Sequence, residues 1–364
     1  MQILFFGLTI SSSWGNGHAT PYRALLRALH QQGVDVVFYE RDVPYYAKHR
    51  DFDGCDYCEL MLYSDWDAVR QRALAQAKAA DVVVTASYLP EGARISQELL
   101  QLQRPLHVFY DLDTPITLSR LPRGELDYLR ADLIPQFDLY LSFTGGDILR
   151  RLEDDSGARL AKSLYGCVDP EVYVRVPRQQ KFQCDLSFMG TYAADRAAAI
   201  RDLFMAPAER LPEQEFLLAG SMYPGEWTWP DGMKRVDHIA PSEHPALYSS
   251  SRATLNLTRK EMAQSGYCPS GRFFEASACG TPLLTDDWKG LDHFFDPSEE
   301  LIVVHTTEDV VQALQLPDEE LARKAARSRQ RTLDEHTGHH RAKQLLAACE
   351  QARQSKPAIA ETFS

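Results

Sequence analysis

Short apolar runs alternate with amphipathic helical segments along most of the chain, and this alternation limits the possible folds more than any other feature. The first run, Gln2–Phe6, leads through a polar loop into a helix whose apolar residues recur at i, i+3, i+4 and i+7 from Tyr22. Gly33 ends that helix, and a second apolar run follows at Val34–Tyr39. Because strands covered on both faces are continuously apolar, the pattern predicts a βαβ unit in a parallel sheet.

The same alternation continues to the last quarter of the chain and predicts two series of strands. The first series comprises Gln2–Phe6, Val34–Tyr39, Asp81–Thr85, Leu106–Tyr110 and Phe137–Phe143; the second comprises Cys184–Met189, Glu215–Ala219, Arg235–Ile239, Ala253–Leu257, Pro282–Thr285 and Leu301–Val304. The proline-bearing stretch Ser163–Pro177 separates them. We therefore predict an α/β protein with two Rossmann-like, doubly wound domains facing a central cleft, with sites at the carboxyl ends of the strands.

Composition excludes several classes of function. Of the 364 residues, 51 are acidic and 39 basic, and the formal net charge of -12 argues against sequence-independent nucleic-acid binding. No apolar run approaches the length of a membrane span, and the first residues lack the basic segment of a signal peptide. Seven scattered cysteines fit reduced thiols. We expect a cytoplasmic protein without a transmembrane segment.

A glycine-rich loop precedes the first helix. Gly15, Asn16 and Gly17 lead into that helix, with Thr20 expected at its N-cap and Pro21 at its first position. Free amides and the helix dipole favour an anion there, so the loop is a candidate for phosphate or acceptor binding; a plain turn is the alternative.

His18 lies in the same loop and is a candidate general base, since its ordinary pKa near 6.5 suits proton abstraction from a hydroxyl. A structural or solvated histidine is the alternative. Asp111 and Asp113 follow a predicted strand end, where a carboxylate can orient or deprotonate a substrate. For both aspartates, helix capping or turn formation before Pro115 is the competing interpretation.

Basic residues follow two strands of the second series. Gly190 and Thr191 come directly after one strand and precede Arg196, and the pair Arg259 and Lys260 comes shortly after another. Arginine and lysine at strand ends near a helix N-terminus are suited to binding a diphosphate.

The stretch Ser270–Asp286 predicts a short, mostly apolar helix, a glycine stop and a buried strand. Arg272 and Glu275 stand on one face of that helix, one turn apart, although charges are seldom buried without partners. Ser270 and Gly271 could cap the helix or donate their amides to phosphate. The glutamate could accept both hydroxyls of a ribose; a buried Arg–Glu ion pair is the alternative.

Two segments resemble glycosyltransferases of the GT-B fold. Phe274-Glu-Ala-Ser-Ala-Cys-Gly-Thr-Pro282 is similar to the family's "E-A-x-A-C-G-x-P" donor-site run, and Gly17-His-Ala-Thr-Pro21 resembles its "G-H-x-x-P" segment. With Tyr39-Glu-Arg-Asp-Val-Pro-Tyr-Tyr46 and Glu335-His-Thr-Gly-His-His-Arg-Ala342, the chain looks most like the CgeB-like (spore-maturation-type) glycosyltransferase-like proteins. The resemblance spans nearly the full length.

The resemblance implies an organisation and a set of roles. It implies an acceptor domain at residues 1–165, a donor domain at 166–335, a helix at 336–353 that returns to the first domain, and a flexible tail at 354–364. Glu275 would bind the donor ribose, Arg272 and Ser270 would lie by the diphosphate, and His18 would match the base of inverting members. Retaining members often carry a second glutamate where this chain has Tyr267, so the pattern favours inversion.

We therefore predict a hexosyltransferase-type glycosyltransferase that uses a UDP-, GDP- or dTDP-linked sugar, with no further cofactor and no obligatory metal. In the expected mechanism His18 or Asp113 is the base. The acceptor is left open among glycans, lipid-linked glycans, proteins and small molecules. The alternatives are a nucleotide-sugar epimerase of the same fold and a non-catalytic surface or assembly protein.

Overall fold

The structure is a computed structural model that describes residues 1–52 and 54–355. The sequence predicts a flexible tail at residues 354–364. From residue 356 onwards, this tail lies outside the described residues. Within the described ranges, no helix combines the length and the apolar character that crossing a bilayer requires.

The first half of the chain forms a seven-stranded, wholly parallel sheet in the order β3-β2-β1-β4-β5-β6-β7. Its strands are β1 (Gln2–Gly7), β2 (Asp35–Arg41), β3 (Glu59–Tyr63), β4 (Val82–Ala86), β5 (Leu106–Asp111), β6 (Leu139–Ser142) and β7 (Ala161–Ser163). Its helices are α1 (Ala19–Gln31), α2 (Pro44–Ala47), α3 (Trp66–Ala79), α4 (Gly92–Leu99), α5 (Thr114–Arg120) and α6 (Asp147–Asp154).

The second half forms a six-stranded parallel sheet in the order β10-β9-β8-β11-β12-β13. Its strands are β8 (Cys184–Met189), β9 (Phe216–Ala219), β10 (Lys234–Val236), β11 (Ser251–Asn256), β12 (Leu283–Thr285) and β13 (Ile302–Val303). Its helices are α7 (Ala197–Ile200), α8 (Ala206–Arg210), α9 (His244–Ser250), α10 (Lys260–Ser265), α11 (Gly271–Ala278), α12 (Thr307–Leu314), α13 (Asp318–Glu335) and α14 (Gly338–Ser355). A π-helical turn, Arg201–Met205, joins α7 to α8.

The predicted α/β class and both predicted strand series are confirmed, although the sequence pattern did not predict β3 and β7. The central strands of each sheet are buried because their side chains are apolar on both faces, as in β4. The predicted domain boundary at 165/166 falls between β7 and β8.

The last helix, α14, lies against the first sheet's layer of helices. Its apolar residues Ala342, Leu345 and Cys349 share a buried cluster with residues of α1. Gly338 makes the close approach possible, since a Cβ at this position would lie 2.4 Å from the carbonyl oxygen of Ala24. The chain thus crosses between the halves twice, once before β8 and once before α14.

Candidate active site

The carboxyl ends of the central strands of both sheets meet at one cleft. In each sheet the strand order reverses once, between β1 and β4 and between β8 and β11, and such switch points are where open parallel sheets bind ligands. Direct contacts cross this cleft. Thr20 donates to Glu275 across it, and the ring of Trp14 lies between the rings of His49 and His238, at centroid distances of 4.1 and 4.4 Å.

The loop between β1 and α1 is held by a buried glutamate at the end of β2. Glu40 accepts hydrogen bonds from the hydroxyl of Thr9 (2.7 Å) and from the amides of Ile10 (2.7 Å) and Ser11 (3.0 Å). With 1% exposure, this carboxylate can serve only the loop itself. It fixes the backbone that leads to His18.

Two amides at the start of α1, those of His18 and Ala19, are engaged within the loop. The Asn16 Oδ1 atom accepts from the amides of His18 (3.0 Å) and Ala19 (3.2 Å). Gly15 is left-handed (φ 65°) and lies against the Tyr45 hydroxyl, whereas Gly17 has open space beside it. With these two amides engaged, the anion site predicted at Gly15-Asn16-Gly17 stays a prediction, with a plain turn as its alternative. The helix begins at Ala19, one residue before the predicted N-cap.

His18 and Asp113 face each other at the edge of the cleft, with 3.6 Å between Nε2 and Oδ2. The same Oδ2 accepts a hydrogen bond from the hydroxyl of Tyr88 at 2.8 Å. Burial alone would raise the pKa of Asp113, but the interactions with His18, Tyr88 and Arg259 outweigh it and lower that pKa. The Nδ1 atom of His18 is buried without a hydrogen-bond partner among the described residues. The pair thus combines an ionised carboxylate with an imidazole that has one nitrogen unengaged.

Asp111 does not face the cleft. It ends β5 with 0% exposure, and its carboxylate accepts from the hydroxyls of Thr117 (2.9 Å) and Tyr140 (2.6 Å) and from the amide of Asp113 (3.2 Å). Burial raises the pKa of Asp111 to about 6. Every one of these partners belongs to the domain core or the turn, and the role predicted for Asp111 in a phosphate or acceptor loop stays a prediction.

A buried arginine, Arg196, and a half-buried one, Arg272, converge at the carboxyl end of β8. The guanidinium groups of Arg196 and Arg272 both lie over the ring of Phe188, at 5.9 and 5.8 Å. Gly190 makes room for them, since a Cβ there would lie 2.3 Å from Arg272 Nη1 and 3.4 Å from Arg196 Nη2. Arg196 donates to the carbonyls of Thr191 (2.6 Å) and Leu257 (3.4 Å), while its Nε is buried without a hydrogen-bond partner in the ranges 1–52 and 54–355.

Neither of these two arginines has a carboxylate oxygen within 4.0 Å in the described part of the chain. Arg272 instead donates to the carbonyl oxygen of Met189 and, through Nε, to the Ser270 hydroxyl at 3.1 Å. Burial, reinforced by the charge of Arg272, lowers the pKa of Arg196 to about 10. The end of β8 therefore carries a surplus of positive charge, which favours an anionic ligand.

Arg259 and Lys260 stand at the start of α10, beside Asp195. The Arg259 Nε lies 3.4 Å from an Asp195 oxygen, and the same oxygen accepts the Lys260 amide at 2.9 Å. The Lys260 side chain is exposed, so it is the most peripheral of the predicted cations. Arg259 contributes to the cleft through its positive charge, which acts on both Arg196 and Asp113.

Helix α11 begins at Gly271 and points its N-terminus towards the arginines. The N-cap, Ser270, makes no side-chain cap, because its hydroxyl accepts from Arg272. Gly271 has no close neighbour at the position of a Cβ other than the Glu275 carboxylate, at 4.0 Å. The amides of this first turn thus lie next to the positive charge, and phosphate binding by Ser270 and Gly271 stays a prediction.

Glu275 does not pair with Arg272, so the buried ion pair considered from the sequence is not formed. Its Oε1 accepts from the Thr20 hydroxyl at 2.9 Å, and its Oε2 lies 3.9 Å from the Nδ1 of His244. With 4% exposure, the carboxylate is covered by Thr20 of the opposite half.

His244 and Tyr173 support Glu275 from behind. His244 Nε2 lies 3.1 Å from the carbonyl of Ile239, which assigns the proton to Nε2 and leaves Nδ1 to accept from the Tyr173 hydroxyl at 3.1 Å. Burial, despite the opposing charge of Glu275, lowers the pKa of His244 and keeps the ring neutral near pH 7. A neutral ring does not form a charged pair with Glu275, so Thr20 is the contact that a ligand would have to displace.

Comparisons with known proteins agree with this architecture. Residues 199–347 match the family model described as glycosyl transferase-like. Sucrose-phosphate synthase from Thermosynechococcus elongatus is similar over 98% of this chain and 100% of its own, with a TM-score of 0.68 and 14% identity. HepE from Anabaena, in complex with UDP-glucose, covers 96% and 100%, with a TM-score of 0.68 and 12% identity.

An alpha-glucosyltransferase in complex with UDP-glucose and DNA is also similar, over 96% of this chain and 99% of its own, with a TM-score of 0.73 and 12% identity. No curated protein sequence matches the chain significantly. The chain has the fold of the GT-B glycosyltransferases. The family match supports the predicted enzyme class, a glycosyltransferase, at that general level.

Three residues of this site were not predicted from the sequence. Thr20 was interpreted only as a helix cap, yet its hydroxyl reaches the Glu275 carboxylate of the other half. Tyr88 and His244 lie in segments with no motif, and only the fold brings them to Asp113 and Glu275. The one available signal was Thr20's position inside the Gly-His-Ala-Thr-Pro segment.

Proposed function

We propose that this GT-B protein transfers a hexosyl group from a nucleoside-diphosphate sugar to an acceptor hydroxyl. The observation that carries the proposal is the convergence of Arg196 and Arg272 over Phe188 without a carboxylate partner among the described residues. Buried charges are normally paired, so such a cluster beside a helix N-terminus is suited to a diphosphate.

The donor fits the second half of the chain. With its diphosphate at Arg196, Arg272 and the first amides of α11, the ribose would lie one helical turn further on, where Glu275 can accept its two hydroxyls. The uncapped Ser270 and the open side of Gly271 leave this path clear. UDP is the nucleotide to test first, because HepE and the alpha-glucosyltransferase are both similar to this chain and bind UDP-glucose.

The acceptor would approach from the first half of the chain, next to His18. As the acceptor oxygen attacks the anomeric carbon, its proton passes to the imidazole, and the bond between that carbon and the diphosphate oxygen breaks. Asp113 would stabilise the imidazolium that forms, which is a typical role for a carboxylate beside a catalytic histidine. Of the two predicted candidates, His18 is the base and Asp113 its partner.

The leaving diphosphate would be stabilised by the arginines and the helix N-terminus. In other enzymes a bound cation neutralises the leaving diphosphate. Here the arginines would supply that positive charge, so we propose that no metal ion is obligatory. Arg259 would add to this stabilisation, since its positive charge already acts on both Arg196 and Asp113.

We further propose, from sequence resemblance, that the protein is of the CgeB-like type and inverts the anomeric configuration. Tyr267 occupies the position of the second glutamate of retaining members. Its ring fills the space beside Gly146 and Gly290, where added Cβ atoms would lie 2.4 and 2.5 Å from it. We propose a carbohydrate, protein or small-molecule acceptor, because the net charge of -12 disfavours nucleic acid.

Calorimetry with UDP-, GDP- and dTDP-linked glucose tests the donor assignment. The intact chain should bind one of them, and Glu275→Gln should weaken that binding at least about tenfold, since a bond to a charged acceptor contributes about 1.5–3 kcal/mol. Glu308→Gln is the matched control, because Glu308 pairs with Arg210 on the exposed side of α12. Unchanged affinity in Glu275→Gln would remove Glu275 from the site.

Incubation with the bound donor alone separates the candidate activities. Slow release of free sugar and nucleoside diphosphate is expected of a transferase that uses water as acceptor, and proton NMR of the first sugar released should show the inverted anomer. An isomerised sugar nucleotide would instead identify an epimerase. Failure to bind any nucleotide or nucleotide sugar would favour a non-catalytic protein.

A further inference from the structure

Tyr88 sits in a strained turn beside the His18–Asp113 pair. It follows β4 by two residues and has a left-handed backbone (φ 65°), as does Glu91 three residues later (φ 57°). Non-glycine residues seldom adopt this conformation because it is strained, and such strain concentrates at functional sites. A connection of β4 to α4 that served only as a turn would favour glycine or asparagine here.

The turn is fastened to the loop that carries Asp113. The Ser87 hydroxyl oxygen accepts the amide of Leu112 at 2.9 Å, and the Ser87 amide donates to the carbonyl of Tyr110 at 3.0 Å. These bonds fix the distance between the turn and the end of β5. The strained backbone then directs the Tyr88 side chain across the gap to Asp113.

The Tyr88 hydroxyl and the His18 ring meet the same carboxylate oxygen. Tyr88 donates to Asp113 Oδ2 at 2.8 Å, and His18 Nε2 lies 3.6 Å from that oxygen. The Tyr88 ring also lies 5.5 Å from the His18 ring, at 35° to it. Tyr88 therefore contacts both members of the pair.

We propose that Tyr88 is a positioning residue for this reaction: its hydroxyl orients the carboxylate of Asp113 and shares the negative charge of Oδ2 with His18. The assignment of a chemical task to the pair rests on the proposed function, whereas the coupling of Tyr88 to Asp113 does not. Burial, followed by the charge of Asp113, raises the pKa of Tyr88, so the phenol remains a donor throughout the working pH range.

Several charged or titratable groups lie close enough to Asp113 to act on its pKa. His18 faces it from the loop before α1 and Arg259 from the loop before α10, and both lower its pKa. Asp111 lies two residues away in the same segment, and Tyr128 lies behind Tyr88 at a ring distance of 5.2 Å. Of the described residues, His18 and Tyr88 are the two whose side chains contact the Asp113 carboxylate.

The test compares Tyr88→Phe with Tyr128→Phe. The first removes the hydroxyl on Asp113 and keeps the ring; the second removes a hydroxyl that bonds Thr117 (2.9 Å) instead. Carbon NMR of γ-carboxyl-labelled aspartate follows Asp113 directly, with Asp113→Asn identifying its signal. In Tyr88→Phe the pKa of Asp113 should rise by about one unit, since a lost bond to a charged acceptor is worth about 1.5 kcal/mol.

The pH dependence of activity should shift in the same direction as the pKa of Asp113. Transfer requires the His18 base to be unprotonated. Without the Tyr88 hydroxyl, more negative charge remains on Asp113 Oδ2 beside that imidazole and favours its protonated form, so the acidic limb of UDP-glucose hydrolysis should move to higher pH in Tyr88→Phe. The value of kcat should fall several-fold with KM for UDP-glucose unchanged, because the donor site lies on the other half. Tyr128→Phe should leave the titration of Asp113 and the acidic limb at their wild-type values.

An Asp113 titration that is the same in Tyr88→Phe and in the wild type would overturn the proposal, as would equal shifts in both tyrosine variants. The NMR titration needs no nucleotide. A shifted Asp113 signal in a protein that binds no sugar nucleotide would therefore uphold the coupling and refute the proposed function.

Discussion

The Thr20 hydroxyl lies 2.9 Å from Oε1 of Glu275 and joins the first helix of one half to the donor-side helix of the other. Each residue belongs to a motif that sequence resemblance assigns to a separate task, one near the acceptor and one at the donor. In the structure the first covers the second, so that Glu275 is 4% exposed. A donor ribose can reach this carboxylate only after the Thr20 contact is broken.

We predict that Thr20→Val binds UDP more tightly than the wild type. Valine has the shape of threonine but cannot donate a hydrogen bond, so the variant removes the contact that a ribose must displace. A bond to a charged acceptor contributes about 1.5–3 kcal/mol, which corresponds to an affinity gain of about tenfold. Isothermal titration calorimetry with UDP measures the difference directly.

Thr20→Ser is the matched control, because it keeps the hydroxyl and should retain the wild-type affinity. Weaker UDP binding in Thr20→Val would contradict the prediction, since it would mean that the threonine helps to hold the nucleotide instead of competing with it.

The architecture was predictable because most strands are buried on both faces and therefore stand out as apolar runs. The two strands that were missed are the edges of the first sheet. In β3 only Tyr63 is buried, and β7 consists of Ala161, Lys162 and Ser163. Edge strands need no continuous apolar run, so the pattern that predicted their neighbours could not find them.

The residue types at the site were predictable, but their partners were not. Arg272 and Glu275 were singled out because charges stood in an apolar helix, and the structure assigns them to different neighbours, Met189 and Thr20. Asp111 and Asp113 looked equivalent from the sequence, yet one side chain faces the core and the other the cleft. Contacts made by residues far apart in sequence depend on how the two halves meet, which no local pattern encodes.

The second prediction concerns the arginines at the end of β8. Arg272→Met should weaken UDP binding at least about tenfold, because a charge-assisted bond to phosphate contributes about 1.5–3 kcal/mol. Arg272→Lys keeps the charge but lacks the planar guanidinium group, so its affinity for UDP should lie between those of the wild type and Arg272→Met. The loss of UDP affinity should appear as a smaller rise in melting temperature when UDP is added.

Arg210→Met supplies the comparison for these variants, since Arg210 is exposed and pairs with Glu308 away from the cleft. Full thermal protection of Arg272→Met by UDP would show that the diphosphate binds elsewhere.

The third prediction concerns the pH dependence of stability at Asp111. Burial raises its pKa from 3.8 to about 6 in the folded protein. Between these two pH values the folded state binds the extra proton, so the stability contributed by this group falls as the pH rises. Above pH 6 the ionised carboxylate destabilises the fold by about 3 kcal/mol relative to pH below 3.8.

Asp111→Asn has no such dependence, although it disturbs the bonds to Thr117 and Tyr140 at every pH. Its destabilisation in urea unfolding should therefore be smaller at pH 7.5 than at pH 4.5, by about 2 kcal/mol. Asp154→Asn, on the exposed side of α6, is the control. A destabilisation that is equal at both pH values would mean that the pKa of Asp111 is not raised.

The last prediction concerns Arg341, which clamps both crossings between the halves. This arginine is 2% exposed, and its Nε donates to the carbonyls of Tyr165 (3.2 Å) and Gly166 (3.1 Å) in the first crossing. Its other nitrogens bond the carbonyl of Glu335 (3.1 Å) and Nδ1 of His336 (2.8 Å) in the second. The crossings are paired directly as well, through a parallel bridge between Val168 and Thr337.

Arg341→Met would leave these buried acceptors without their donor, at a cost of about 3–5 kcal/mol. Urea unfolding should show this loss and should separate into two transitions, because the halves would no longer unfold as one unit. Arg353→Met, which removes an exposed arginine bonded to the Asp81 carbonyl from the same helix, should cost less than about 1 kcal/mol. A single transition in Arg341→Met, with a loss no larger than that of Arg353→Met, would show that the two halves are coupled through the cleft contacts and not through this clamp.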